Sequence, residues 1–200
     1  MNTSLFLAIN AGPHPPSLLL ALARLLAVWA VPGGVALFLT LWIRGTPQHR
    51  GSLITATLTM VFGLAVNFAI GLVYFHPRPF MLGLGHQYLS HPPDNSFPSD
   101  HATFLWSLGF ALLALGGFPV SAGLLLAAGL AVAWARIYLG VHFPFDMLGS
   151  FVVSLLVTRA ARPLDRPVRR WLLPPSLTIY ETMLAAAHLP PALFPRAPRR

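Results

Sequence analysis

The chain has 200 residues, 56% of them hydrophobic and only 9% charged, where an ordinary soluble domain carries about 25% charged residues. A soluble globule of this length could not hide so much apolar surface from water, so the composition excludes a water-soluble domain and points to lipid as the solvent. The net charge of +8 comes entirely from arginine, with no lysine or cysteine anywhere, which excludes disulfides and thiolate metal sites; the arginines are not interleaved with a soluble recognition fold, which argues against nucleic acid as a partner.

The first sixteen residues contain no Lys or Arg and so lack the basic region of a cleaved signal peptide; the first span is expected to be retained. Before it, the segment from Asn2 to Asn10 has a plausible N-cap and an apolar face but is too short to cross a bilayer, which suits a helix lying at the interface. A crossing of about 30 Å needs about 20 apolar residues, and such runs fall at roughly 24–43, 52–75, 101–116, 118–138 and 145–161. Only Gly116-Gly117 and Phe118-Pro119 separate the third run from the fourth, which predicts a tight helical hairpin. After the fifth run Arg159, Arg162, Arg166, Arg169 and Arg170 form a basic collar, followed by a short amphipathic stretch near 177–189 and a Pro/Arg-rich end. The expected fold is an all-α integral membrane protein: a helical bundle of about five transmembrane helices plus short interfacial N- and C-terminal helices. It forms one membrane-embedded domain over 1–200, with about 163–200 as a cytoplasmic basic tail.

Five spans put the termini on opposite sides. Arg44, Arg50, the collar, Arg196, Arg199 and Arg200 then share one side, ten of the thirteen arginines, and the excess of positive charge marks that side as cytoplasmic. The other side receives the loop from about His76 to Asp100 and the short connection from Arg136 to Pro144. Arg78 and Arg136 lie there against the topological trend, with Arg24 near the outer end of the first span. Three of the five acidic residues and five of the eight histidines gather in the same two loops. In a chain so poor in charge, such concentration at one membrane face marks a functional site.

Three segments carry that concentration. In Phe75-His76-Pro77-Arg78-Pro79-Phe80 the prolines end the second span and stiffen the backbone around Arg78, which suits bidentate phosphate binding; an interfacial arginine near headgroups is the plainer alternative. In Ser96-Phe97-Pro98-Ser99-Asp100-His101, Ser99 is placed as an N-cap with Asp100 and His101 in the first helical turn. A helix start offers unpaired N–H groups and a positive dipole end to a phosphate, with His101 able to protonate a leaving oxygen. A simple cap with a bystander histidine remains the alternative. In Arg136 through Asp146, Pro144 suits a first helical turn and sets Asp146 one turn beyond His142. A carboxylate there can accept the Nδ1–H of His142 and leave Nε2 as a nucleophile; a structural His–Asp pair or half a metal site would give the same spacing.

Taken together, Arg78-Pro79, then Pro98-Ser99-Asp100-His101, then Arg136 with His142 and Asp146 closely resemble the type 2 phosphatidic acid phosphatase superfamily, whose pattern is K-x6-R-P, P-S-G-H and S-R-x5-H-x3-D. The first two strings further resemble its undecaprenyl-diphosphatase branch of the bacitracin-resistance type, and the resemblance covers roughly residues 2 to 185, including a tail helix near Tyr180-Glu181. It implies hydrolysis of undecaprenyl pyrophosphate to undecaprenyl phosphate and inorganic phosphate through a phosphohistidine, in recycling of the cell-wall lipid carrier and in bacitracin resistance. His142 would be nucleophile, Asp146 its orienting carboxylate and His101 the acid. Arg78, Ser99, Arg136, Asp100 and His76 would sit at the substrate phosphates, without metal or cofactor. The partners implied are an isoprenoid lipid pyrophosphate and membrane lipids. The implied location is the bacterial cytoplasmic membrane, with the active site facing the exterior or periplasm and the C-terminus in the cytoplasm.

The sequence departs from that pattern at three positions. The family lysine falls at Gly71, the glycine of the second motif is Asp100, as is usual in the bacitracin-resistance branch, and the serine before Arg136 is Ala135. His76 is the candidate to replace the lysine's phosphate contact. His76, His86, His91 and Asp94 are weaker candidates to touch the substrate headgroup, since a loop that folds over a polyanion can simply be polar. The competing readings are a broader lipid phosphate phosphatase acting on phosphatidate or phosphatidylglycerophosphate, a small transporter or channel, and a metalloenzyme. Clustering of the polar groups at one face speaks against a transporter, and the histidine spacings match no standard zinc pattern.

Overall fold

A computed structural model describes residues 1–188 and Phe194. The described residues form helices and connecting loops with no strand: α1 (Asn2–Ile9), α2 (Ser17–Arg44), α3 (Pro47–Val73), α4 (Asp100–Leu115), α5 (Pro119–Tyr138) and α6 (Pro144–Ala161). A C-terminal helix (Leu173–Ala186) follows α6 through short irregular turns, making a nearly continuous helical path. The end of the expected amphipathic tail at Leu189, and Arg196, Arg199 and Arg200, lie outside the described residues.

Among the described residues, four helices are long and apolar enough to cross a membrane: α2, α3, α5 and the path from Pro144 to Ala186. The fifth expected span, α4, is an apolar helix of only 16 residues, about 24 Å at 1.5 Å per residue against about 30 Å of hydrocarbon. It is the most enclosed helix of the bundle, lined on its two sides by α3 and α6 and covered by α5. The outward faces carry Leu18, Trp29, Phe68, Leu72, Val120, Leu130 and Leu156, all well exposed, as a surface solvated by lipid tails requires. Between α3, α4 and α6 the buried groups are small and polar: Ser107 donates to Ser154 Oγ at 3.1 Å and Ser154 to the Thr103 carbonyl at 3.4 Å. Such hydroxyls let helices approach closely and hydrogen-bond where water is absent.

Two connections fix the site end of the bundle against the other. The α4–α5 hairpin turns on Gly116 and Gly117, both at positive φ, 75° and 94°, a conformation a β-carbon disfavours. The long loop between α3 and α4 lies across the α5–α6 turn, where Tyr88 N–H donates to the Leu139 carbonyl at 2.9 Å; Gly140 (φ 81°) admits the His86 backbone there, with no room for a side chain.

α2 begins seven residues before the expected span, because Arg24 does not end it: its Nε donates to the Tyr88 carbonyl at 3.2 Å, carrying the charge out to the loop. α1 is docked rather than loosely interfacial. Phe6 is buried edge-on against Phe143 at 5.3 Å, and Asn10 Nδ2 donates to the carbonyls of His86 and Tyr138, both at 3.0 Å. The N-terminal helix, the long loop and the α5–α6 turn therefore share one end of the bundle. At the opposite end the His49 and Phe118 rings lie 4.7 Å apart, and Arg169 reaches the Gln48 carbonyl at 2.6 Å.

Candidate active site

His142 sits in the α5–α6 turn, 2% exposed, with its Nδ1 3.2 Å from Asp146 Oδ2. Pro144 opens α6 and Asp146 occupies its first turn, where the unpaired N–H groups and the positive helix end favour a carboxylate. The same Oδ2 accepts the Phe143 N–H at 2.7 Å and the Ser96 hydroxyl at 2.5 Å. Ser96 Oγ also lies 3.3 Å from His142 Nδ1.

On the far side of the ring, Arg78 Nη1 lies 3.0 Å from His142 Nε2. A guanidinium has no acceptor, so Nε2 must accept and Nδ1 must carry the proton. The tautomer with a free lone pair on Nε2 thus follows from the partners alone. Burial pushes the His142 imidazole far below its ordinary value of 6.5, to about 3; the bond to Asp146 opposes that shift and the charges of Arg136 and Arg78 add to it. His142 is neutral, with a cation resting on its unprotonated nitrogen.

Arg78 is fixed by four acceptors. Its Nε donates to Asp94 Oδ1 at 2.7 Å, Nη1 to the Val141 carbonyl at 2.8 Å as well as to His142, and Nη2 to the Asn95 carbonyl at 3.0 Å. Arg136, in the last turn of α5, is buried and its Nε has no hydrogen-bond partner among the described residues. Ser99 is the N-cap residue of α4, yet its side chain does not cap the helix: Oγ is buried and unpartnered too. Its backbone carbonyl is held instead, accepting from Ser150 Oγ at 2.9 Å. Arg136, whose charge bears on His142, and Ser99 at the start of α4 therefore keep buried side-chain donors unspent, and a helix start adds unpaired amides of its own, an arrangement that suits an anion.

His101, at the second position of α4, is partly buried and lines a cavity of about 170 Å³ with Val31, Leu64, Asp100 and Phe104. Asp100 is exposed and turned toward α3, its Oδ1 accepting from Asn67 Nδ2 at 2.9 Å. Gly71, where the family pattern has lysine, borders a cavity of about 390 Å³ with Asn67, Asp94, Asn95 and Asp100 among its walls, and no cation projects from that position. His76 places its Nδ1 3.3 Å from Asp146 Oδ1, behind the His142–Asp146 pair. Ala135 is buried among Ala23, Ala27 and Leu139, in helix packing. His91 lies beside the site, its ring 6.3 Å from that of His142; burial, then the charges of Arg78 and Arg136, hold it below its usual value. His86 lies apart, its ring beside Tyr88 and its backbone bonded to Asn10.

Sequence reasoning assigned no role to Ser96, Asn95 or Asn67, which hold the carboxylate, the Arg78 guanidinium and Asp100, and it offered Asp94 only as a substrate contact, whereas its carboxylate accepts from Arg78. Their only signal was position inside or opposite the motif strings. Among the described residues no group of three or more His, Cys, Asp or Glu side chains is arranged to hold a metal ion.

Known proteins carry the same arrangement of sequence. Residues 52–169 match the family described as the PAP2 superfamily. The chain is 35% identical over 160 residues to undecaprenyl-diphosphatase BcrC of Bacillus subtilis (strain 168), covering 78% of this chain and 80% of that protein. It is 34% identical over 156 residues to the putative undecaprenyl-diphosphatase YbjG of Escherichia coli (strain K12), covering 78% of each. In three dimensions it resembles the crystal structure of Aquifex aeolicus LpxE, with a TM-score of 0.63 at 23% identity over 81% of this chain and 94% of that one, a likeness of fold. A match over more than half the chain, with relatives aligned along most of their length, makes this protein a member of the PAP2 superfamily.

Proposed function

We propose that this protein is a lipid-pyrophosphate phosphatase that releases the terminal phosphate of undecaprenyl pyrophosphate through a phosphohistidine on His142. The names of the Bacillus and Escherichia relatives support the substrate. The observation that carries the chemistry is the unprotonated Nε2 of His142, bordered by two buried guanidiniums, one of which has a free Nε.

In this reading the terminal phosphate enters between Arg78 and His142 and takes over the guanidinium's Nη1 bond. Arg136, Ser99 and the α4 amides bind the equatorial oxygens, where preorganised donors stabilise the transition state most. His142 Nε2 attacks phosphorus, the bond to the bridging oxygen breaks, and protonated His101 gives that oxygen its proton as lipid monophosphate departs. Asp146 holds the Nδ1–H while His142 carries positive charge. Neutral His101 then takes a proton from the attacking water, the P–N bond breaks, and phosphate leaves with His142 restored. Asp100, tethered by Asn67, borders the substrate entrance.

Phosphate release by the purified protein in detergent, measured on undecaprenyl pyrophosphate, phosphatidate and phosphatidylglycerophosphate, tests this directly. The pyrophosphate should turn over fastest, and His142→Ala should lower the rate by about 10³-fold or more. Equal rates on all three lipids would leave only the broader lipid phosphatase; an active His142→Ala protein would remove the nucleophile.

The site end is proposed to face outward from a bacterial cytoplasmic membrane, with the arginine-rich end inside, on the asymmetry of Arg44, Arg50 and the collar. The chain has no cysteine of its own, so single probes can report sidedness. Ser90→Cys should react with an impermeant maleimide on intact cells and Gln48→Cys only after lysis; the reverse pattern would invert the topology.

A further inference from the structure

Two buried atoms at the site have no hydrogen-bond partner and lie opposite each other. His76 Nδ1 and Asp146 Oδ1 are both sealed from solvent and unpartnered by strict geometry, yet only 3.3 Å separates them. Leaving a buried polar atom unsatisfied is costly, and a small turn of the His76 ring, with the proton on Nδ1, satisfies both.

The ring is held at that position from several directions. The His76 N–H donates to Asn95 Oδ1 at 2.7 Å, and its carbonyl accepts from the Ser96 N–H at 2.8 Å. The imidazole stacks on Tyr74 at 6.0 Å and leans on Phe143 at 5.3 Å. The segment that carries Ser96 to Asp146 Oδ2 therefore also carries His76 to Oδ1.

We propose that His76 is a positioning residue whose Nδ1–H donates to Asp146 Oδ1, so that one carboxylate is clamped between two imidazoles. Oδ2 already serves Phe143, Ser96 and His142, and all three bonds depend on the plane of the carboxylate. With Oδ1 unheld, that plane is free to turn about the terminal side-chain torsion, which is broad for Asp, and the aim of His142 at phosphorus turns with it. The inference rests on His142 as nucleophile, and gives His76 a place behind the reacting pair rather than at the phosphates.

The test uses the full chain in detergent with three variants. His76→Phe keeps the ring and its stacking but removes the donor. His76→Asn puts an amide N–H near the place of Nδ1, and His76→Gln puts one near Nε2. His76→Phe should lower the kcat of the folded protein by about 10- to 100-fold, the usual cost of losing an orienting partner, with KM within about threefold and a lowered unfolding midpoint, since Asp146 Oδ1 is left without a donor. His76→Asn should recover most of that loss and His76→Gln should not. Wild-type kcat in His76→Phe, or a raised KM at unchanged kcat, would overturn the assignment; the second result would put His76 on the phosphate. Nitrogen-15 histidine spectra carry the contact independently of turnover. A His76 signal with the proton on Nδ1, lost in His76→Phe and shifted in Asp146→Asn, supports it, and a proton on Nε2 overturns it. Absence of phosphate release by wild type would defeat the proposed function while the spectra still decided the His76 contact.

Discussion

The two ends of the bundle treat their enclosed and half-buried arginines in opposite ways. At the collar end Arg169 is saturated: Nε donates to Asp165 Oδ2 at 2.7 Å, Nη1 to the Gln48 carbonyl at 2.6 Å and Nη2 to Ser52 Oγ at 2.8 Å. Asp165 in turn accepts from Thr55 at 2.9 Å. Arg50, fully buried, donates to the carbonyls of Trp42 and Ile43 and lies 4.4 Å from the Tyr180 ring centre. At the site end Arg136 is nearly as buried as Arg50 but keeps an Nε unpartnered among the described residues, as is the Ser99 hydroxyl. A cation with its donors spent on the protein holds helices together. One with a donor in reserve suits a ligand that brings its own acceptors.

That contrast breaks if the two arginines respond alike to substitution. Arg136→Gln should lower phosphate release by on the order of 100-fold or more, with the unfolding midpoint in detergent unchanged or raised, because a poorly paired buried charge is removed. Arg169→Gln should do the reverse. It leaves Asp165 without its cation and should cost about 2–4 kcal/mol of stability, while the folded fraction turns over within about threefold of wild type, as expected of a site far from the chemistry. A Arg136→Gln protein that unfolds early at full specific activity would make the distinction between the two ends false.

The sequence was most legible where local chemistry and bilayer length both constrain it. Apolar runs located all five bundle helices, and Gly116-Gly117 with Pro119 gave the hairpin, since few residues tolerate those backbone angles. The His142–Asp146 pairing was legible from a four-residue spacing across a helix start, although His142 itself stands two residues before α6. What pattern could not supply is everything set by contact across the fold. Arg24 was read as a span boundary, but it reaches a loop carbonyl 64 residues away. Arg50 and Arg169 were read only as topology signals, and their acceptors lie on other elements. Ser96 stood in a motif string, but its bond to Asp146 joins positions 50 apart. Likewise, Ser99 was read as a helix cap from residue type, whereas its hydroxyl is left over.

The comparison sharpens further at His142, whose protonation must differ from that of an ordinary surface histidine. Burial holds its imidazole at about 3 against an ordinary 6.5, so over that interval the unfolded chain binds a proton that the folded chain does not. The sign follows from linkage: the unfolded state gains relative to the folded one as pH falls, so the contribution of His142 to stability is fully present above about 6.5 and is lost progressively toward 3. Acid should therefore destabilise the wild type more than a His142→Gln variant, which carries no such proton. In nitrogen-15 histidine spectra the His142 ring should stay neutral, with its proton on Nδ1, from pH 8 down to pH 5, about two units above its shifted value. A His142 signal titrating near 6.5 would mean that water reaches the ring, and the proposed neutral nucleophile, set by Arg78 on one nitrogen and Asp146 on the other, would be lost.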